Sequence, residues 1–270
     1  MFTVNKQIAF LTKHDKQHQI APIINTELNA EIIHTDKFDT DKLGTFDHKI
    51  QRKLRADEAA IKKAYLACEL TNLNQGIGSE GSFNSFMGLS LVDQEIIAFV
   101  DIERKLEIVA MAQQSVPLGL IEAKNSEELK RKLNTNSYIS SNSQRWMIWL
   151  NNQWNKGVKR NSLLAEEYAF PIKIEPDLRA MHCPARQEVI KLATQDLIKR
   201  LTSFCPQCNQ INFVEKIKPN QIEYLACEIC SLPTNQPKPP SCICDECGYT
   251  ESNSDNQNKG SAFYCNYCNP

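Results

Sequence analysis

Eight cysteines near the C-terminus stand in four C-x-x-C pairs: Cys205/Cys208, Cys227/Cys230, Cys244/Cys247 and Cys265/Cys268. A C-x-x-C turn offers two thiolates to one ion, and two such turns complete a tetrahedral zinc site. Grouped in chain order, the pairs read C-x2-C-x18-C-x2-C and C-x2-C-x17-C-x2-C. They could also interleave, first with third and second with fourth, and the sequence does not decide between the two. Cys242 is a spare that could stand in for Cys244, although Cys244 has the better spacing. Four thiolates leave no open coordination position, so two structural Zn2+ ions are expected rather than catalytic ones. The Cys-rich stretch has few apolar residues, so its folding energy is expected to come from the metal.

A second set of chemistry-bearing residues lies in the first two thirds of the chain. "TKHDK" (Thr12 to Lys16) places Lys13, His14 and Lys16 on a loop that enters a helix, a combination suited to phosphate. "EAAIKKA" sets Glu58 and Lys62 one helical turn apart, with Lys63 pointing elsewhere. "QGIGSEGSF" (Gln75 to Phe83) puts one acid, Glu80, among Gly76, Gly78 and Gly81. It reads as a tight glycine turn that lets backbone approach a ligand, with a carboxylate able to hold Mg2+. "DLRAMHCPAR" gathers Asp177, Arg179, His182 and Arg186 at the entrance to a helix. That cluster is either an ion-paired helix start or a ligand contact.

In order and separation, residues 7 to 83 resemble the non-canonical purine nucleoside triphosphate pyrophosphatases, particularly the bacterial inosine/xanthosine triphosphatase branch. "TKHDK" stands for its T-N-P-x-K loop, "EAAIKKA" for its E-N-A-x-x-K-A helix and "GIGSEGS" for its G-V-G-I-E-G-G turn. The resemblance implies an inosine triphosphatase-like fold and release of pyrophosphate from a nucleotide. It implies that Lys13 and Lys16 bind the triphosphate, that Glu58 and Glu80 hold Mg2+, and that Lys63 neutralises phosphate charge. His14 lies in the same loop. Arg179, His182 and Arg186 would meet the base or the phosphates. The chain departs from the family at the turn, where one acid replaces an adjacent pair; Asp101 could supply the second carboxylate. A homodimer is implied by this resemblance alone. The whole layout also resembles an uncharacterised family of bacterial and phage proteins with T-K-H-x-K, S-E-G-S-F and D-x-R-A…P-x-R segments and terminal C-x-x-C pairs.

These residues need a scaffold. "QIAFLT" and "AEIIHT" read as strands around a short helix in "IAPIINTEL", an opening that favours an α/β domain with parallel pairing. "RADEAAIKKAYLACELTNL" is rich in helix formers, with Ala60, Ala64, Ala67 and Cys68 on a small-residue face. "EIIAFVDI" and "KLEIVAMA" read as strands joined at Glu103 to Lys105, and "RWMIWL" as another. The last long helix begins at Pro184, with Val189, Ala193, Leu197 and Leu201 recurring every four residues. The fold class is therefore α/β, a mixed sheet flanked by helices, followed by a small zinc-ribbon module. The boundary is expected at 1–202 and 203–270, with a Pro-rich connector at Ser231 to Ser241.

Thirty-one Lys and Arg against 32 Asp and Glu leave a net charge of −1, which argues against a generic polyanion binder. No apolar run approaches a membrane span, so a cytoplasmic protein is expected, and a reducing compartment favours metal over disulfides. The expected partner is a nucleotide or other phosphate-bearing small molecule. A protein or nucleic acid could dock on the zinc tail. A non-catalytic nucleotide sensor on the same scaffold is the alternative to an enzyme.

Overall fold

The computed structural model describes residues 2–40, 54–86, 90–135, 137–150, 153–165, 167–216, 223–252 and 259–269. The chain divides into a unit of residues 4–198 and a unit of residues 199–270 with 1–3. Among the described residues no helix is long and apolar enough to cross a membrane.

The larger unit opens with β1 (Gln7–Leu11), α1 (Gln17–Leu28), β2 (Glu31–Thr35) and α2 (Ala56–Thr71). Three long strands follow: β3 (Gln75–Phe86), β4 (Ser90–Asp101) and β5 (Leu106–Val116). They form one sheet in the order β2-β1-β3-β4-β5. β1 runs parallel to β2 and β3, and the β3-β4-β5 meander is antiparallel. The sheet is mixed, as expected. The crossover from β1 reaches one neighbour, and the crossover from β2 passes back to the other. Right-handed connections therefore put α1 and α2 on opposite faces.

α2 is well specified by its ends. Glu58 accepts from the Arg55 N–H at 2.9 Å, and Asn72 closes the helix in the left-handed region. Its face of Ala60, Ala64, Ala67 and Cys68 is buried.

The glycine stretch Gln75 to Phe83 is a strand, not the tight turn expected from its composition. The reason is packing. A Cβ on Gly78 would come within 3.0 Å of the Ala60 carbonyl oxygen, and one on Gly76 would lie 2.5 Å from Cys68 Sγ. The two glycines remove side chains from one face of β3, and α2 settles directly onto its backbone.

A second sheet holds the remaining part of the unit. Its elements are β6 (Ile121–Ala123), α3 (Ser126–Lys132), α4 (Ser137–Ser140), β7 (Arg145–Leu150), β8 (Gln153–Lys159), α5 (Arg160–Ala165) and β9 (Ile172–Pro176). The strand order is β6-β9-β7-β8, antiparallel throughout. Trp146, Ile148 and Ile174 face a shared apolar core with Leu129, Leu133 and Leu163. α6 (Pro184–Thr202) then begins at the proline and buries Val189, Ala193, Leu197 and Leu201.

The smaller unit has two three-stranded sheets. One is β10 (Val214–Lys216), β13 (Ser241–Ile243) and β14 (Thr250–Ser252), in the order β10-β13-β14. The other is β11 (Tyr224–Cys227), β12 (Pro233–Pro237) and β15 (Lys259–Gly260), in the order β12-β11-β15. The Pro-rich stretch is thus more than a connector, because it supplies β12, paired antiparallel with β11.

Candidate functional site: two four-thiolate centres and a buried charge cluster

The eight paired cysteines gather into two groups, and the groups interleave. Cys205, Cys208, Cys244 and Cys247 form one, and Cys227, Cys230, Cys265 and Cys268 the other, with the sulfurs of each group within 4.8 Å of one another. Cys205 to Cys247 is 3.7 Å and Cys208 to Cys244 is 3.5 Å. In the second group the corresponding separations are 3.8 Å and 3.5 Å. A tetrahedron with Zn–S bonds of about 2.3 Å has edges of about 3.8 Å, whereas a disulfide would need about 2 Å. The donor set therefore fits Zn2+.

Each pair sits on the same backbone turn. The carbonyls of Cys205, Cys227, Cys244 and Cys265 accept from the N–H four residues on, at 2.8 to 3.1 Å. The residue after the second cysteine takes a positive φ at Asn209 (61°), Ser231 (63°) and Gly248 (73°). That is why Asn, Ser and Gly stand there: the left-handed region admits few other side chains easily. Burial pushes the Cys244 thiol up, but the N–H groups of Cys247 and Glu246 overcome this and bring it to about 7. The N–H groups of Tyr267 and Cys268 bring Cys265 to about 7 as well. Cys242, the spare, lies on β13 opposite Glu215 and Glu251 and belongs to neither group.

In the larger unit, β1 stops at Leu11 while its neighbour β3 runs on through Glu80 and Gly81. Charged side chains collect around this end. The unbroken β3–β4 register divides them between the two faces of the strand pair. Glu80 pairs with Ile96, which packs under α2. On that face Lys63 Nζ donates to Glu80 Oε2 at 2.5 Å and to the Ser79 carbonyl at 3.3 Å. On the other face Glu95, opposite Gly81, takes Lys16 Nζ on Oε2 at 2.8 Å and Arg186 Nε on Oε1 at 2.5 Å. Lys16, Glu95 and Arg186 are all buried. A Cβ at Gly81 would fall within 3.0 Å of both Glu95 and Arg186, so this glycine makes room for the ion triad. The Arg186 guanidinium also lies over the Phe83 ring, 5.6 Å from its centroid.

Burial holds the Lys16 ammonium below its ordinary range; Glu95 and, more weakly, Glu80 oppose this, while Arg186 adds to it. Lys16 thus feels carboxylates on both faces. Glu95 stays low despite its burial because Arg186 and Lys16 flank it. Asp93, two residues back on the same face of β4, is fully buried, and among the described residues neither carboxylate oxygen has a hydrogen-bond partner. Burial first, then the charge of Glu95, pushes its pKa to about 7 against the pull of Arg186 and Lys16.

Of the residues singled out in the sequence, Lys16, Lys63, Glu80 and Arg186 enter these ion pairs. The others make different contacts. Glu58 is exposed and caps α2. Lys13 pairs with Asp39 at the surface at 2.8 Å, and the His14 N–H donates to Thr12 Oγ1. Asp101 is five residues along β4 from Ile96, about 17 Å from Glu80. It accepts instead from Gln75 and Arg104, so it is not a second acid for Glu80. Arg179 is held by Asp177 through two bonds, 2.9 Å and 2.6 Å, and lies with His182 beside Gly157 of β8. Asp93 and Glu95 were not singled out. The signal available was a pair of acids at i and i+2, Asp93 and Glu95, running straight into the apolar stretch "IIAFV".

Residues 63–270 match the family described as a domain of unknown function (DUF6671). No curated protein and no solved structure matches the chain.

Proposed function

The chain belongs to the DUF6671 family, and we propose that it is a double-zinc protein whose α/β unit takes a nucleotide or another phosphate ester where β1 ends. The observation that carries the zinc reading is the two sets of four sulfurs at tetrahedral spacing. When bound, the ions supply structure rather than chemistry, since every coordination position is filled by cysteine. Metal analysis of purified protein should return two zinc per chain. Finding no metal, or iron in place of zinc, would overturn it.

A second reading follows from the charge cluster: a Mg2+-dependent nucleotide pyrophosphohydrolase. It is supported by Lys16, Lys63, Glu80 and Arg186 at the carboxyl end of the parallel β1–β3 pair, where connections diverge to opposite faces. Ligands of open α/β sheets bind at such points. Here Lys16 and Lys63 would meet phosphate oxygens, and Glu80 would hold Mg2+ once it exchanges its bond to Lys63. The metal would supply Lewis acidity. A nucleotide panel with Mg2+, assayed for pyrophosphate, tests this. Turnover abolished by Glu80→Ala is expected; no turnover, or turnover unchanged in that variant, removes the enzyme reading. Nucleotide binding without turnover would make the unit a sensor.

A further inference from the structure

We propose that the outer face of the β6-β9-β7-β8 sheet binds single-stranded nucleic acid, with Trp149 and Trp154 stacking bases and Arg145, Lys159, Arg179 and His182 taking phosphates. The proposal does not rest on the hydrolase reading and concerns a different surface.

The sheet's two faces differ sharply. Trp146 and Ile148 of β7 point into the apolar core and are buried. Strand alternation then turns Arg145, Met147 and Trp149 outward. Trp149 pairs across the ladder with Trp154, and Arg145 with Lys159. The two indoles meet edge to face at 5.4 Å and are 49% and 38% exposed, so ring surface stays open to solvent. A buried packing role would have covered them.

The cationic end is built around a gap. Gly157 has φ +75°, at the irregularity in the β7–β8 ladder. A Cβ placed there would meet His182 Nε2 at 3.6 Å and Arg179 Nη2 at 3.8 Å, so both side chains converge on the space over the glycine. Burial, then Arg179 and Arg145, hold the His182 pKa below its ordinary value against the pull of Asp177, so His182 offers a phosphate a ring N–H rather than a charge. The carboxylates on this face are largely engaged: Asp177 holds Arg179, and Glu122 holds Lys173 at 2.6 Å; Glu175 is the third. With Arg179 balanced by Asp177, the net positive charge of this end rests on Arg145 and Lys159, which pair with no carboxylate among the described residues and suit a polyanion.

Spacing distinguishes a strand from a mononucleotide. Arg145 and Trp149 are four residues apart on β7, about 13 Å. One nucleotide does not bridge a base on Trp149 to a phosphate on Arg145, but consecutive nucleotides do. Exposed aromatic rings beside cations on an antiparallel sheet are the means by which single strands are held with little sequence preference.

The test uses the full-length, zinc-loaded chain and a 12-nucleotide oligo-U, read by tryptophan fluorescence. Quenching is expected at 50 mM salt, with affinity falling roughly tenfold by 150 mM as a few phosphate contacts are screened. Trp149→Ala with Trp154→Ala, and separately Arg145→Glu with Lys159→Glu, should each weaken binding at least tenfold, measured by polarisation of a labelled oligo-U. Circular dichroism and zinc content would confirm that both variants fold. Absence of binding to the parent chain overturns the proposal. So does binding that both double variants retain, which would place the nucleic acid elsewhere, and so does uridine monophosphate binding as tightly as the 12-mer.

Discussion

Replacing Asp93 with asparagine should make the protein more stable at pH 8, although it removes a native side chain. Asp93 is fully buried, its two oxygens lack hydrogen-bond partners among the described residues, and its pKa stands at about 7 against an ordinary 3.8. At about 1.4 kcal/mol per pH unit, that rise corresponds to about 4 kcal/mol. The sign follows from which state holds the proton. Between about pH 4 and pH 7 the unfolded chain has released it and the folded chain has not, so stability falls as pH rises through this window. Above about 7 both states are ionised and the full destabilisation is present. Asparagine is nearly the shape of the protonated acid and does not titrate. Asp93→Asn should therefore exceed the parent in stability by about 2–4 kcal/mol at pH 8, with the gap narrowing to about 1–2 kcal/mol near pH 5 and closing toward pH 4. Urea denaturation, followed by far-ultraviolet circular dichroism, measures both proteins at each pH; effects of acid on the thiolates are common to the two and cancel. A variant no more stable than the parent at pH 8, or a gap that stays constant between pH 5 and pH 8, would refute the reasoning.

The remaining predictions concern the same scaffold. Glu95→Ala should cost about 3–5 kcal/mol in denaturation experiments, because it strands the buried Lys16 and Arg186 without their shared carboxylate. Gly78→Ala should lower the melting temperature sharply, since its methyl would collide with the backbone of α2. Gly119→Ala, with nothing within 4 Å, should leave that temperature within a degree or two. Cys242→Ser should keep two zinc per chain by mass spectrometry under native conditions, and Cys244→Ser should lose one of them.

Local chemistry made much of the scaffold readable. The apolar run Gln7 to Leu11, the Ala-rich helix after Arg55, the strand Arg145 to Leu150 and the proline opening α6 each carry their own signal, and each element is where that signal puts it. The glycine strand was not readable, because Gly76 and Gly78 answer to α2, a tertiary neighbour, and only their conformational freedom shows in the sequence. The ion triad was hidden for a related reason. Glu95 and Arg186 are 91 residues apart, and neither has meaning without the register that brings β4 under Gly81. The cysteines show the same division. C-x-x-C turns are local and legible in the sequence, whereas which turns share an ion depends on the chain path through the two sheets of the smaller unit.

That interleaving has a consequence for how the protein is made. Synthesis delivers Cys205, Cys208, Cys227 and Cys230 before any of their partners beyond residue 240 exists. Those four thiols, with eighteen residues between the pairs, are a complete tetrahedral ligand set for one ion in the wrong combination. A zinc ion captured early must later be handed over, thiolate by thiolate, as Cys244 and Cys247 arrive, and the second centre cannot close until Cys268 has left the ribosome. On the two-zinc reading, an ion taken up by the first four thiols would compete with the native, interleaved pairing.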